Sequence, residues 1–316
     1  RRPVQRFVNG LSMSGTDSSA IASGAEAIRI LALEPCGPPD AGILGASLKS
    51  LRLAGIHIDY QPYDQNAGER LGKRGVAARL AQLNAGLGEA HYDYLLCVRG
   101  GYGASDLLSL IDWPALAGMN PRPLIGFSDV SALQSAFYTR LQWPGLHAPM
   151  PGSPLWMNGP DVNQLTGYLQ KGQPWRGAIS VSPLKAKGQE VCTGVLFGGC
   201  LSVLTNLIGT AYLPASFAGH ILFFEDTAES ASRVLRCWRQ WLDCGLLEGV
   251  VAVVLGCFSK IGADRSEDWL RGEVAQRTPC PVFASQDFGH VSPNMPLCLG
   301  SRAQIKANSL TWTLKG

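Results

Sequence analysis

The sequence predicts an α/β fold, with an N-terminal, mostly parallel sheet flanked by helices and a smaller, strand-rich C-terminal domain. Three observations predict it. Up to about residue 141, short apolar runs of strand length alternate with stretches whose apolar residues recur at helical spacing. Beyond about residue 190 short apolar runs continue, but only one long amphipathic stretch lies among them. The 316 residues are 46% hydrophobic and 16% charged, which is enough core for two domains.

Residues 1–26, rich in Ser, Gly and Ala and without the apolar centre of a signal peptide, read as a flexible leader outside the fold. Residues 27–33 form a buried-strand run, and a Pro/Gly turn follows at Pro35-Cys36-Gly37-Pro38-Pro39. Residues 42–54 pattern as a helix through Ile43, Leu44, Leu48 and Leu51, and 56–60 as a strand. A helix is expected over 75–86, a strand over 92–98, a helix over 104–111 and a strand over 123–127. The next helix, 129–141, places Val130, Leu133, Phe137 and Leu141 on one face. The α/β domain thus runs over 27–150. Frequent Pro, Gly and Trp mark 151–190 as a linker, and 191–316 as the second domain. There, strands are expected over 194–197, 219–224, 250–258 and 280–283, with one helix over 228–244. Asp226 is placed to cap that helix, Glu229 to reach back in a capping box, and Gly245 to end it.

A net charge of +3, with Lys and Arg spread along the chain, does not point to nucleic acid. Nine cysteines, most in apolar surroundings and with no C-x-x-C pair, argue for a reduced intracellular protein rather than a zinc or dithiol site. No run of about 18 apolar residues is present, so no spanning helix is expected.

Ser128 stands where a buried strand stops and an amphipathic helix begins, at the edge where open α/β sheets place their sites. The unpaired amides of the helix start, Asp129 first, suit the oxyanion that forms when a serine attacks a carbonyl. Serine is equally a favoured helix cap, and no G-x-S-x-G occurs. Arg99-Gly100-Gly101-Tyr102-Gly103 follows a strand, and its glycines let backbone N–H groups approach a ligand. Its spacing fits neither nucleotide-binding glycine motif. Glu225, at a strand end, is placed either to orient an imidazole or to serve the helix start with Asp226. Of five histidines, His290 lies in a polar Gly/Pro loop suited to a general base. His147, in Leu146-His147-Ala148-Pro149-Met150, closes the first domain and is positioned to line a site.

Together these residues resemble the LD-carboxypeptidase family of serine peptidases. Arg99-Gly100-Gly101-Tyr102-Gly103 resembles its R-G-G-Y-G loop, and Gly126-Phe127-Ser128-Asp129-Val130-Ser131-Ala132-Leu133 its nucleophile segment. His147-Ala148-Pro149-Met150 resembles H-G-P-M, and Gly198-Gly199-Cys200-Leu201-Ser202 resembles G-G-N-L-S. Phe224-Glu225-Asp226-Thr227 and Phe288-Gly289-His290 resemble the segments holding the catalytic glutamate and histidine. Cys200, Ala148 and Cys36 depart from the family's usual Asn, Gly and Ser.

The resemblance implies a Ser128–His290–Glu225 triad, with amides of Gly101 and Asp129 holding the oxyanion. Arg99 and Tyr102 are candidate substrate contacts. It implies cleavage between meso-diaminopimelate and the terminal D-alanine of murein tetrapeptides in cell-wall recycling. No metal or cofactor, no membrane and no nucleic acid are involved, and a cytoplasmic homodimer is implied. Serine would come from the first domain and the other two residues from the second, so a swivel between domains could gate the site. Two alternatives stay open. One is a microcin C immunity-type peptidase acting on an acyl-sulfamoyl adenylate, with Trp156 and Trp175 in a nucleotide pocket. The other is a catalytically silent muropeptide-binding protein.

Overall fold

A computed structural model describes residues 28–169, 175–185, 191–263 and 265–314. The expected leader, residues 1–26, lies outside the described residues. The first half runs β1 (Arg29–Leu33), α1 (Ala41–Leu53), β2 (His57–Tyr60), α2 (Lys73–Gly88), β3 (Tyr94–Cys97), the short α3 (Trp113–Leu116), β4 (Leu124–Gly126), α4 (Val130–Leu141) and β5 (Gly145–His147). Then come α5 (Asn158–Tyr168), β6 (Trp175–Ser180), β7 (Ser182–Lys185), β8 (Cys192–Cys200), α6 (Leu201–Thr205), β9 (His220–Thr227) and α7 (Ala231–Asp243). The chain closes with β10 (Ala252–Ser259), α8 (Glu267–Arg277), β11 (Val282–Gly289), β12 (Leu297–Leu299), β13 (Arg302–Lys306) and β14 (Ser309–Leu314).

The expected α/β architecture is present. The first sheet has the order β12-β5-β4-β3-β1-β2, all parallel except β12, which runs antiparallel to β5. Strand order reverses between β1 and β3, so the loops after those strands diverge and leave a crevice at the carboxyl edge. The second sheet has the order β6-β14-β13-β8-β9-β10-β11-β7, with β8 to β11 parallel and the flanking strands antiparallel. Helices bury one stripe each: Leu44, Leu48 and Leu51 on α1, and Ala231, Val234, Trp238 and Trp241 on α7.

Helix α4 is different, because residues 130–138 are all buried. It packs on β4 and β5 of the first sheet and on β8 and α6 of the second half. Its hydroxyls join the two. Ser131 Oγ accepts from Cys200 N at 3.1 Å, and Ser135 Oγ donates to Tyr212 O at 2.7 Å. With β12 also crossing into the first sheet, the halves are tied twice around the end of β4.

Three expectations need correction. The stretch 104–111 forms turns rather than a helix. Eight residues make an isolated helix marginal, and the backbone closes i→i+3 turns instead, Leu107 N to Ala104 O and Leu110 N to Leu107 O, while Asp129, Arg79 and Tyr102 tie down Ala104 N and the Asp106 carboxylate. Ser230, not Asp226, caps α7, accepting from Arg233 N. Asp226 is instead buried and accepts from the amides of Ser202 and Thr227. The described part of the expected linker, 151–190, contains α5, β6 and β7, and both strands pair into the second sheet. Among the described residues, no helix is long and apolar enough to cross a membrane.

Candidate active site

Ser128 occupies the turn between β4 and α4 with φ 65°. A non-glycine residue there stores about 1 to 3 kcal/mol of strain. The turn aims the side chain out of the sheet edge instead of along the helix. Its hydroxyl does not cap α4: Asp129 holds the cap position, and no side chain bonds the free amides there. The hydroxyl instead lies 3.0 Å from His290 Nε2.

The other end of that imidazole is fixed. His290 Nδ1 lies 2.6 Å from Glu225 Oε2, so Nδ1 donates to the carboxylate and Nε2 is left to accept from Ser128 Oγ–H. Glu225 follows the buried apolar run of β9 and is completely buried. His290 follows β11, with its side chain 13% exposed. Gly289 makes the approach possible, since a Cβ there would stand 3.2 Å from Glu225 Cβ. Register completes the assembly. Glu225 pairs with Cys200 on β8, and Cys200 N reaches Ser131 in the first turn of α4. One short path of backbone thus links the acid's strand to the serine's helix.

Burial disfavours the Glu225 carboxylate, but contact with His290 and His147 outweighs it and holds its pKa at about 2. Burial likewise opposes a charged His290, yet the adjacent Glu225 carboxylate raises the imidazole above its ordinary range. The pair is therefore built to keep the acid ionised and to stabilise an imidazolium when a proton arrives. A hydroxyl in this arrangement can be deprotonated as it attacks a carbonyl.

The loop after β3 packs directly on the serine. A Cβ on Gly100 would stand 2.8 Å from Ser128 Cβ and 3.0 Å from its Oγ, so only glycine fits. Gly37, after β1, donates to Gly100 O at 2.7 Å. Asp129 turns its carboxylate into the same loop, accepting from Ala104 N at 2.9 Å. Gly101 and Asp129, the expected oxyanion donors, lie on the two segments that meet at Ser128. Gly101 and Tyr102 also border a cleft of about 850 Å³, with Pro38, Tyr60, Tyr63 and Arg70 on its other walls. Tyr102 is 55% exposed, and its hydroxyl bonds Asp106. Arg99 is half-buried at the head of the loop, with no hydrogen-bond or ion-pair partner among the described residues.

One residue in this framework, Arg79, escaped the sequence reading. Arg79 on α2 is fully buried, and its Nη1 donates to Pro35 O at 2.7 Å and Gly103 O at 2.6 Å, which locks the loops after β1 and β3 together. Nothing in its helical neighbourhood marks it as an inward cation. His147, suspected of lining a site, is fully buried against Glu225, with Nε2 3.7 Å from Oε1.

Comparison with known proteins gives a consistent set. A family model described as the LD-carboxypeptidase N-terminal domain matches residues 28–148, and one described as the LD-carboxypeptidase C-terminal domain matches 193–305. The chain is 29% identical to the murein tetrapeptide carboxypeptidase of Pseudomonas aeruginosa over 299 residues, 90% of this chain and 95% of that protein. The crystal structure of muramoyltetrapeptide carboxypeptidase from Oxalobacter formigenes superposes with a TM-score of 0.77 at 22% identity, covering 91% of this chain and 99% of that one. The microcin C7 self immunity protein MccF in complex with aspartyl sulfamoyl adenosine superposes with a TM-score of 0.74 at 19% identity, over 92% and 97%. At such identities the two structural matches speak to the fold alone.

Proposed function

Because the chain belongs to the LD-carboxypeptidase family, we propose that it is a serine carboxypeptidase that removes the terminal D-alanine of a murein tetrapeptide. The bond cut is the L,D-bond after meso-diaminopimelate. The observation that carries this reading is the unbroken hydrogen-bonded chain from Ser128 Oγ through His290 to Glu225.

In this mechanism Ser128 Oγ attacks the carbonyl of diaminopimelate while His290 Nε2 takes the hydroxyl proton. Glu225 stays ionised and balances the imidazolium. The N–H groups of Gly101 and Asp129 hold the developing oxyanion. Collapse of the tetrahedral intermediate breaks the C–N bond, and His290 gives its proton to the departing amine of D-alanine. Water, deprotonated by His290, then releases the tripeptide from the serine. Arg99, a cation beside the glycine loop with no partner among the described residues, holds the terminal carboxylate. The cleft beside Gly101 and Tyr102 takes the acyl side of the peptide. The enzyme works in the cytoplasm as a homodimer. No swivel is required to bring serine to histidine, because the two already stand in contact.

The acyl-sulfamoyl adenylate alternative needs aromatic faces for a nucleobase. Trp156 and Trp175 do not offer them. Both are buried, Trp156 Nε1 donates to Asn158, and Trp175 stacks on Tyr94 while donating to Tyr168 O. The test is a three-substrate comparison by mass spectrometry: the murein tetrapeptide, the same peptide ending in L-alanine, and aspartyl sulfamoyl adenosine. Release of D-alanine alone is expected. Preference for the adenylate would replace the murein reading, and binding without turnover would favour a silent binding protein.

A pH dependence follows from the raised His290 pKa. The base must be neutral in the free enzyme, and its protonated fraction grows as pH falls. A raised pKa moves that loss upward, so the acid limb of kcat/KM should have its midpoint above about 6.5, the ordinary histidine value. Glu225, held near 2, adds no limb in the neutral range. A midpoint well below 6 in a kcat/KM profile would contradict the Glu225–His290 pairing.

A further inference from the structure

His147 ends β5, with Gly126 of β4 on one side of it in register and Leu297 of β12 on the other. Its imidazole is fully buried and caged by Phe127, Phe223 and Phe288, with ring centroids 5.5, 5.5 and 6.2 Å away. Into this apolar cage projects one edge of Glu225, with Oε1 3.7 Å from His147 Nε2. Both ring nitrogens of His147 and Oε1 of Glu225 lack hydrogen-bond partners. Buried polar atoms are nearly always paired, and an unpaired carboxylate oxygen is among the costliest to leave so. Here the missing donor and the missing acceptor face each other. Moving one group by about 0.8 Å would bring them to an ordinary N–H···O length. The opposite oxygen, Oε2, is already held by His290, so a small rotation of the carboxylate is the motion required.

We propose that His147 is a positioning residue that donates from Nε2–H to Glu225 Oε1, so that the acid works while clamped between two imidazoles. This rests on the reading of Ser128, His290 and Glu225 as the catalytic relay. Neutral His147 suffices, because its Nε2–H tautomer supplies the proton. The clamp fixes the plane of the carboxylate, keeps Oε2 aimed at His290 Nδ1, and spreads the negative charge, so the acid orients the base without taking its proton. The phenylalanine cage keeps water from competing for Oε1.

The test needs no murein substrate. In the wild-type chain at neutral pH, nitrogen-15 NMR of the histidines should show His147 as the Nε2–H tautomer; a bare Nε2 would overturn the proposal. A fluorophosphonate then reads the reactivity of Ser128. His147→Phe fills the cage without a donor, and should lower the maximal rate of Ser128 modification about 10- to 100-fold, with the half-saturating concentration within about threefold of wild type. His147→Gln carries an amide nitrogen near the place of Nε2 and should restore most of that rate. An unchanged rate in His147→Phe, or a Gln variant as slow as Phe, would reduce His147 to packing. Failure of the probe to label Ser128 in the wild type would overturn the serine reading itself, and this inference with it. If His147→Phe does not fold, the wild-type tautomer decides.

Discussion

His290→Ala is expected to lower kcat for D-alanine release by about a million-fold, and Glu225→Gln by about ten-thousand-fold. The double variant should be no slower than His290→Ala alone. The reason is the serial geometry. Ser128 Oγ depends on His290 Nε2, and His290 depends on Glu225 Oε2 through its other nitrogen. Once the imidazole is gone, Glu225 has no route to the reacting atoms, and its loss changes nothing further. Glu225→Gln keeps the side chain's shape, but it offers an amide where His290 Nδ1 needs an acceptor of full charge. It also removes the counter-charge to the imidazolium. Single-turnover rates on the tetrapeptide, with melting curves to verify folding, measure all three. Additive losses would mean that the two groups act independently.

Gly100→Ala is the second large effect. The Gly100 backbone does not lie in the left-handed region, so alanine meets no conformational barrier. It meets Ser128. The added methyl would stand 2.8 Å from Ser128 Cβ and 3.5 Å from the Asp129 amide. Neither side can yield easily. Gly37 N pins Gly100 O, and α4 holds the serine turn between two sheets. A displacement near 1 Å at the nucleophile or the oxyanion donors costs about a hundredfold in rate. Overpacking at one position costs about 1 to 3 kcal/mol in stability. Kinetics on purified Gly100→Ala should therefore show kcat down by about a hundredfold or more, with the fold retained. A kcat near wild type would mean that the glycine loop is looser than its contacts imply.

The sequence makes the parallel half of the fold legible because buried strands and amphipathic helices alternate there with little interruption. It is less clear where tertiary contacts override local pattern. Residues 104–111 carry helical spacing, yet so short a segment closes i→i+3 turns instead, held in place by Asp129 and Arg79. Asp226 looks like a cap by position, but its burial beside Ser202 turns it into a loop anchor. The strands of the expected linker carry Gly177 and Pro183 and few buried side chains, and pairing with β14 and β11 makes them strands.

For the site, Ser128, Glu225 and His290 were each weak signals alone, gathered by the order of the surrounding motifs. Their meeting depends on features with no local signature: the positive φ of Ser128, the close pass of Gly100, and the α4–β8 contact through Ser131. His147 was visible as a residue near a domain end. That it faces the acid, and not the solvent, follows only from the register of β4, β5 and β12.

The most direct test is mass spectrometry of a murein tetrapeptide incubated with the wild-type chain and with Ser128→Ala. The wild type should remove a single D-alanine, leaving tripeptide, while Ser128→Ala leaves the tetrapeptide intact but still folds and binds it. Tripeptide formed by Ser128→Ala at the wild-type rate would contradict the account, because the hydroxyl on which the whole relay converges would then be dispensable.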